Sequence, residues 1–188
     1  MKIHVMCGIA LGALLAGCTS GTDGNDSPAP PNEANIAAEA DAPLRAELRD
    51  PDGAVLARAT LSRQGDGVRV LLEAAGLGAG TYGAHVHMTG RCDAPDFASA
   101  GGHWNPTEHQ HGHDNPQGAH LGDLPNLVVA ADGTGAISFD IAGATLRGGG
   151  NAVLDEDGAA VIVHADPDDY RTDPSGNSGA RIACGAVG

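Results

Sequence analysis

Short stretches of alternating apolar and polar residues recur along the chain from residue 44 onward. In residues 44–48 every second side chain is apolar, which is typical of a strand with one buried face. Turn sequences such as Pro51-Asp52-Gly53 separate the stretches. The further strand-like stretches are 54–61, 68–72, a run ending at His87, 127–130, 136–141, 159–163 and 181–187. About eight short strands without a helical period predict an all-β fold, an antiparallel sandwich or barrel.

Two long segments interrupt this pattern. The first, from Thr89 to about Asn126, exceeds the length expected of a structureless connection in a compact domain. It contains a cysteine and several metal-binding residue types, so we expect a disulfide and a metal to order it. The second segment, residues 166–180, is polar and glycine-rich and could shape access to a site.

The N-terminal region differs from the rest in composition. Lys2, an apolar run over residues 9–15 and the sequence Leu15-Ala16-Gly17-Cys18 predict a lipoprotein signal peptide at 1–17, with Cys18 as the lipidated residue. A retained transmembrane helix is the alternative, but the run is too short to span a bilayer. Residues 18–41 are polar and predict a flexible linker, which leaves 42–188 as one domain.

Charge and cysteine content narrow the functional classes. The formal net charge is −14, so nucleic acid is not an expected partner. Of four cysteines, Cys7 leaves with the signal peptide and Cys18 takes the lipid. In an exported domain the remaining pair, Cys92 and Cys184, predicts a disulfide, with two unpaired buried thiols as the alternative.

Histidines dominate the candidate chemistry. Six histidines and one aspartate suit two metal ions better than one. These residues are His85, His87, His103, His111, His120, Asp123 and His164. Strand residues two apart share a face, so His85 and His87 can reach one ion, although such pairs also occur on solvated strands. His164 by itself would more often be a core histidine.

The loop histidines suit a second ion. His120 and Asp123 lie on one tight turn, and His103 and His111 precede them in the same loop. Three histidines and one aspartate would form a closed tetrahedral zinc site.

From residue 44 to 188 the sequence resembles bacterial copper/zinc superoxide dismutases. Four motifs carry the resemblance. They are Gly83-Ala84-His85-Val86-His87, Gly102-His103-Trp104-Asn105-Pro106, His111-Gly112 with His120-Leu121-Gly122-Asp123-Leu124, and Gly176-Asn177-Ser178-Gly179-Ala180-Arg181-Ile182-Ala183-Cys184-Gly185. The implied fold is an eight-stranded antiparallel Greek-key barrel or sandwich with two long functional loops.

The resemblance also implies a role for each candidate residue. Copper would be held by His85, His87, His103 and His164, and zinc by His103, His111, His120 and Asp123. His103 would bridge the metals, and Asp168 would link the copper-bound His85 to the zinc-bound His111. Arg181 would anchor a small anion, where the alternative is a surface salt bridge. Cys92 and Cys184 match the family disulfide. His109 and His113 flank His111, but only His111 has the matching spacing.

The expected activity is dismutation of superoxide to oxygen and hydrogen peroxide by copper redox cycling, with the bridging His103 supported by zinc. We expect a periplasmic protein anchored by its lipid to an envelope membrane, the outer membrane by analogy with bacterial sorting rules. The alternatives are a copper/zinc-buffering lipoprotein without turnover and an envelope protein in which metals only hold the loops. An oligomeric partner does not follow from the sequence.

Overall fold

The computed structural model describes residues 39–188. The predicted signal peptide, the lipidation site Cys18 and most of the predicted linker therefore lie outside the described residues. Within residues 39–188 the structure contains no helix of the length and apolar character needed to cross a bilayer.

The described part of the chain is built mainly of β-strands. They are β1 (Leu44–Arg49), β2 (Val55–Gln64), β3 (Gly67–Ala74), β4 (Gly80–Tyr82), β5 (Ala84–His87), β6 (Leu127–Val129), β7 (Ala136–Ala142), β8 (Thr145–Arg147), β9 (Ala152–Leu154), β10 (Ala160–His164) and β11 (Arg181–Ala186). A 3₁₀ turn covers Ala98–Ala100. The all-β prediction is confirmed, and all eight expected strands are present. The structure adds three strands that the sequence analysis did not predict, β4, β8 and β9, of three residues each.

Seven strands form one antiparallel sheet in the order β5-β10-β11-β1-β2-β3-β7. Strands β4 and β6 form a separate antiparallel pair, and β8 pairs with β9 in parallel. In β1 the buried residues alternate with exposed charged ones, so one face of the sheet packs on the main apolar core. This alternation is the pattern from which the strand was predicted.

Strand β10 is buried on both faces. Val161 and Val163 belong to the main core, whereas Ala160 and Ile162 pack against Phe97 in a second, smaller cluster. The first long segment therefore lies against the outer face of β10. This packing brings the segment to the edge of the sheet formed by β5 and β10, where three of the candidate histidines lie.

The predicted disulfide between Cys92 and Cys184 is present, with the Cα atoms 5.6 Å apart. It joins the first long segment to β11, and Cys184 is itself part of the smaller cluster. The bridge therefore attaches the segment to the sheet about ten residues before His103. The alternative of two unpaired thiols is wrong.

Candidate metal centre

Four histidines converge at the edge of the sheet. Their possible ligand atoms all lie within 4.8 Å of one another, and all four side chains are buried. We call His85, His87, His103 and His164 the four-histidine cluster. Ile162 pairs with His85 across β5 and β10, and on the other side of β10 the register shifts between Val163 and His164, so that His164 pairs with Arg181 of β11. The local strand register thus places residues that are far apart in sequence around one point.

Hydrogen bonds decide which nitrogen of each ring is free. A carbonyl oxygen only accepts, so His87 donates from Nδ1 to Gly101 O at 3.0 Å and His164 donates from Nδ1 to Gly179 O at 3.3 Å. His85 uses Nε2, which lies 2.7 Å from Asp168 Oδ2. The opposite atoms, His87 Nε2, His164 Nε2 and His85 Nδ1, are buried without a hydrogen-bond partner.

A second group of side chains surrounds Asp123 Oδ1. This oxygen lies 2.9 Å from His103 Nδ1, 3.0 Å from His111 Nδ1 and 3.2 Å from His120 Nδ1. A tetrahedral ion with bonds of about 2.0 Å holds its ligand atoms about 3.3 Å apart. We call these four residues the Asp123 cluster, and its spacing matches that of a closed tetrahedral zinc site.

Backbone groups orient the Asp123 carboxylate. Its Oδ2 atom accepts hydrogen bonds from the backbone N–H groups of Gly112, at 2.9 Å, and His120, at 3.0 Å. Oδ1 is thereby directed toward the three histidine nitrogens. The side chain of Asp123 is almost fully buried, so a positive partner is needed to offset its desolvation.

His103 belongs to both clusters. Its Nδ1 atom lies in the Asp123 cluster, whereas its Nε2 atom is buried without a partner, as are the free nitrogens of the other three residues of the four-histidine cluster. The His103 ring stacks on His85 with centroids 3.8 Å apart. His85 also approaches His103, His111 and Asp123 within 4.8 Å, so the two clusters are contiguous.

Burial keeps several of these imidazoles neutral. It lowers the pKa of His103 to about 4 despite the hydrogen bond with Asp123, and lowers that of His164 to about 3. For His111 burial also acts downward, but Asp123 and Asp168 outweigh it and raise the pKa to about 9. For Asp123 burial acts upward, yet hydrogen bonds from the histidines hold the pKa well below its ordinary value. Neutral imidazole is the form that binds metal.

Asp168 connects the two clusters. Its Oδ2 atom accepts from His85 Nε2, and its Oδ1 atom accepts from His111 Nε2 at 3.0 Å. One buried carboxylate thus orients one ring of each cluster. Such a partner sets the tautomer of both histidines and leaves their Nδ1 atoms available to a metal.

Asn126 holds Asp168 in place, a role the sequence did not suggest. Its side-chain Nδ2 donates to Asp168 O at 2.9 Å, and its Oδ1 accepts from Asp168 N at 2.8 Å. The backbone N–H of Asn126 donates to the Tyr170 hydroxyl at 2.7 Å. An asparagine three residues after Asp123 resembles any loop asparagine, so its position gave no signal.

Arg181 makes backbone contacts rather than the surface salt bridge weighed above. Nη1 donates to Phe97 O and Nη2 to Gly101 O, both at 2.7 Å. Gly101 O is also the acceptor of His87 Nδ1. The same carbonyl therefore positions both the guanidinium and a histidine of the four-histidine cluster.

The two flanking histidines lie outside both clusters. His109 Nδ1 contacts Ala119 O at 3.2 Å, and His113 Nε2 contacts Asp123 O at 2.9 Å, beside the rings of Phe139 and Tyr170. Within residues 39–188, neither belongs to a group of side chains that could hold a metal.

Comparison with known proteins gives the family. Residues 53–187 match the model of the family described as copper/zinc superoxide dismutase. The chain belongs to this family. The copper/zinc superoxide dismutases are named for an activity, superoxide dismutation, and for two metals, which histidine and aspartate side chains such as those gathered here can bind.

Several relatives bear the family name. A copper/zinc superoxide dismutase of Aquifex aeolicus is 41% identical over 76% of this chain and 85% of its own length. One of Caulobacter vibrioides is also 41% identical, over 76% of this chain and 83% of its own length.

Other relatives are called superoxide dismutase-like. Such a protein from Bacillus subtilis is 51% identical over 57% of this chain, but the match spans only 55% of that protein. The crystal structure of a superoxide dismutase-like protein from Bacillus subtilis has a TM-score of 0.71, with 42% identity over 76% of this chain and 96% of that chain.

The donor set suits the two metals of the family. Copper and zinc both accept imidazole nitrogen, and a carboxylate completes zinc sites. In the described part of the chain, ring nitrogens of His85, His87, His103 and His164 are buried without a hydrogen-bond partner, and His111 Nδ1 has only the Asp123 carboxylate, at 3.0 Å. Orphaned buried polar atoms are costly, and two ions bound between the rings would satisfy them.

Proposed function

We propose that this protein dismutates superoxide: two superoxide anions and two protons yield oxygen and hydrogen peroxide. The observation that carries the proposal is the shared His103, whose Nδ1 faces the Asp123 cluster while its Nε2 is left free beside three further histidines. A storage site has no use for one imidazole shared between two cations. The family membership supports the same activity.

The four-histidine cluster would hold copper and the Asp123 cluster would hold zinc. Bound copper supplies the one-electron redox couple that no side chain here offers, and zinc supplies positive charge without redox change. His103 would donate both nitrogens as an imidazolate bridge. Asp168 keeps His85 and His111 in the tautomer that leaves each Nδ1 available.

His103 Nε2 is the atom at which the chain can hold and deliver a proton. It is the unpartnered nitrogen of a ring whose other side is fixed by Asp123. Dismutation consumes two protons, and His103 would deliver one of them to the product.

Arg181 would bind the substrate anion. The guanidinium is only partly buried and is held by two backbone carbonyls, which leaves its positive charge without a carboxylate in hydrogen-bond contact. The chain carries 24 acidic and 10 basic residues, so an approaching anion needs a local positive site. Arg181 provides it beside the four-histidine cluster.

The test is superoxide dismutation by the full chain after reconstitution with copper and zinc, with metal content measured on the same sample. We expect turnover that requires copper and disappears when copper is removed. A fully metallated but inactive protein would instead support the metal-buffering alternative. Binding of zinc without copper would support a purely structural role for the metal.

Removing the charge of Arg181 tests its role separately. We expect Arg181→Ala to lower the second-order rate constant by roughly tenfold while both metals stay bound, because steering of an anion by charge is worth about that much. Arg45→Ala is the matched control, since this exposed arginine lies on β1 and contacts Thr60. Loss of metal in the Arg181 variant would contradict an anion-binding role.

We also propose that the protein is a periplasmic lipoprotein anchored through Cys18, because Leu15-Ala16-Gly17-Cys18 resembles the end of a lipoprotein signal peptide and precedes a polar linker. Metabolic labelling with a radioactive fatty acid should mark the protein, and Cys18→Ser should abolish the label. A labelled Cys18→Ser variant, or a cytoplasmic location for the wild type, would contradict the proposal.

A further inference from the structure

A cleft of about 440 Å³ opens beside Arg181 and contains a second charge. It is lined by Pro95, Asp96, Ala98, Gly179, Ala180 and Arg181. One wall comes from the first long segment and the other from the end of the second segment and the start of β11. The two charged side chains that line it, Asp96 and Arg181, have opposite signs.

Both walls of the cleft lead to the four-histidine cluster. Gly179, in one wall, accepts a hydrogen bond from His164 Nδ1. The other wall continues through the 3₁₀ turn to Gly101, which accepts from His87 Nδ1 and from Arg181 Nη2. An anion that binds to Arg181 in this cleft therefore also faces Asp96, which lines the same cleft.

The position of Asp96 is defined by local hydrogen bonds. Its Oδ1 atom accepts from the backbone N–H of Ala98 at 3.0 Å, which fixes the carboxylate at the start of the 3₁₀ turn. The next residue, Phe97, provides a carbonyl that accepts from Arg181 Nη1. The carboxylate and the guanidinium are thus held by neighbouring groups of one short segment.

The negative charge of the Asp96 carboxylate stabilises the positive charge of the Arg181 guanidinium. Burial lowers the pKa of the Arg181 guanidinium, and the Asp96 carboxylate is the group that acts in the opposite direction. An opposite charge that stabilises a cation also cancels part of the positive potential that the cation presents to a third charge.

We propose that Asp96 weakens the attraction of Arg181 for superoxide and so lowers the rate at which the anion enters the site. The inference rests on the proposed dismutase function and adds to it a residue that sets the rate of substrate capture. It predicts that the wild-type rate lies below the limit that the metal centre itself would allow.

The first test is Asp96→Asn in the full chain loaded with copper and zinc. Asparagine keeps the Oδ1 acceptor for Ala98 but removes the charge, so we expect the second-order rate constant to rise about twofold at low ionic strength. The gain should shrink toward zero as salt screens the charges. Asp66→Asn is the control, because Asp66 is an exposed residue of the β2–β3 turn that lines a different cleft. An unchanged rate, or a gain that salt does not reduce, would overturn the proposal.

The second test needs no turnover. The full chain is used as purified, with metal content matched between variants. Arg181 is labelled either with phenylglyoxal, which is neutral, or with its anionic carboxyl derivative. The modified peptide is quantified by mass spectrometry. The quantity compared is the rate of labelling by the anionic reagent divided by the rate of labelling by the neutral one. Asp96→Asn should raise this ratio about twofold at Arg181 but leave it unchanged at Arg45. An unchanged ratio at Arg181 would contradict the role of Asp96 even if the enzyme is active, whereas a raised ratio in an inactive protein would place the failure in the proposed dismutase function.

Discussion

At the residue scale, the metal centre depends on which nitrogen of each histidine is free. His87 and His164 are fixed by backbone carbonyls through Nδ1, whereas His85 and His111 are fixed by Asp168 through Nε2. The first pair therefore presents Nε2 and the second pair presents Nδ1. Each metal-facing nitrogen is selected by the contact on the other side of its ring.

The shared ring of His103 leads to the first prediction at this scale. His103→Ala should abolish dismutation and lower the occupancy of both metals, because it removes one nitrogen from each cluster. Metal analysis after dialysis, together with an activity assay, measures both effects. His109→Ala should retain both metals, since His109 is an exposed loop residue outside the clusters. Full turnover with both ions in the His103 variant would show that the bridging role is wrong.

The ionisation of His111 leads to the second prediction. In the metal-free protein its pKa is raised to about 9, so the ring is protonated at pH 7. Zinc must displace that proton from Nδ1, so binding at pH 7 should release about one proton. Above pH 9 the ring is already neutral, and the release should disappear. Calorimetry in buffers of different ionisation enthalpy measures it, and zinc binding at pH 7 without proton release would contradict the prediction.

At the element scale, the two long segments hold each other in place. The backbone N–H of His111 donates to Asp173 Oδ1 at 2.7 Å, and that of Asp114 donates to Tyr170 O at 3.0 Å. Asn126 adds its two side-chain hydrogen bonds to Asp168. The prediction that a disulfide and a metal order the first segment was therefore incomplete, because contacts with the second segment also order it.

The two segments pass close to each other at Gly112. Its φ is +104°, and a Cβ atom there would lie 2.1 Å from Tyr170 O. Gly112→Ala should separate the segments and lower zinc affinity by about 10- to 100-fold, the usual effect of disturbing the groups that orient metal ligands. Competition with a chromogenic chelator measures the affinity. Gly150→Ala is the control because nothing lies within 4 Å of its added Cβ, and equal affinities in the two variants would contradict the prediction.

At the scale of the whole molecule, one disulfide closes a large part of the chain. The sequence separation between Cys92 and Cys184 is 92 residues. Cys92 lies shortly before Pro95 and Asp96, which form one wall of the Arg181 cleft. The sheet and the first long segment meet through the smaller apolar cluster around Phe97 and Ile162. The metal centre lies between these two parts, so their attachment supports both stability and the site.

Removing the bridge should lower stability more than any surface change. For a loop of this length the chain-entropy model gives about 4 to 5 kcal/mol as an upper value. A Cys92→Ser, Cys184→Ser double variant should therefore unfold at a temperature lower by on the order of 10 °C. Calorimetry on wild type and variant with matched metal content measures the difference. An unchanged unfolding temperature would show that packing around Phe97 alone holds the segment.

Periodicity and spacing in the sequence determined the eight main strands, the chemical identity of the candidate ligands and the cysteine pair. Alternation reports burial directly, and imidazole, carboxylate and thiol groups are recognisable from residue type alone. The tertiary structure decided which nitrogen of each ring is free. It also placed Asn126 where it forms two hydrogen bonds to the backbone of Asp168, and the Gly101 carbonyl where it accepts from both His87 and Arg181. Those features depend on backbone groups and on contacts between segments far apart in sequence. Every residue has the same backbone carbonyl, so only the folded chain shows which ones orient the site.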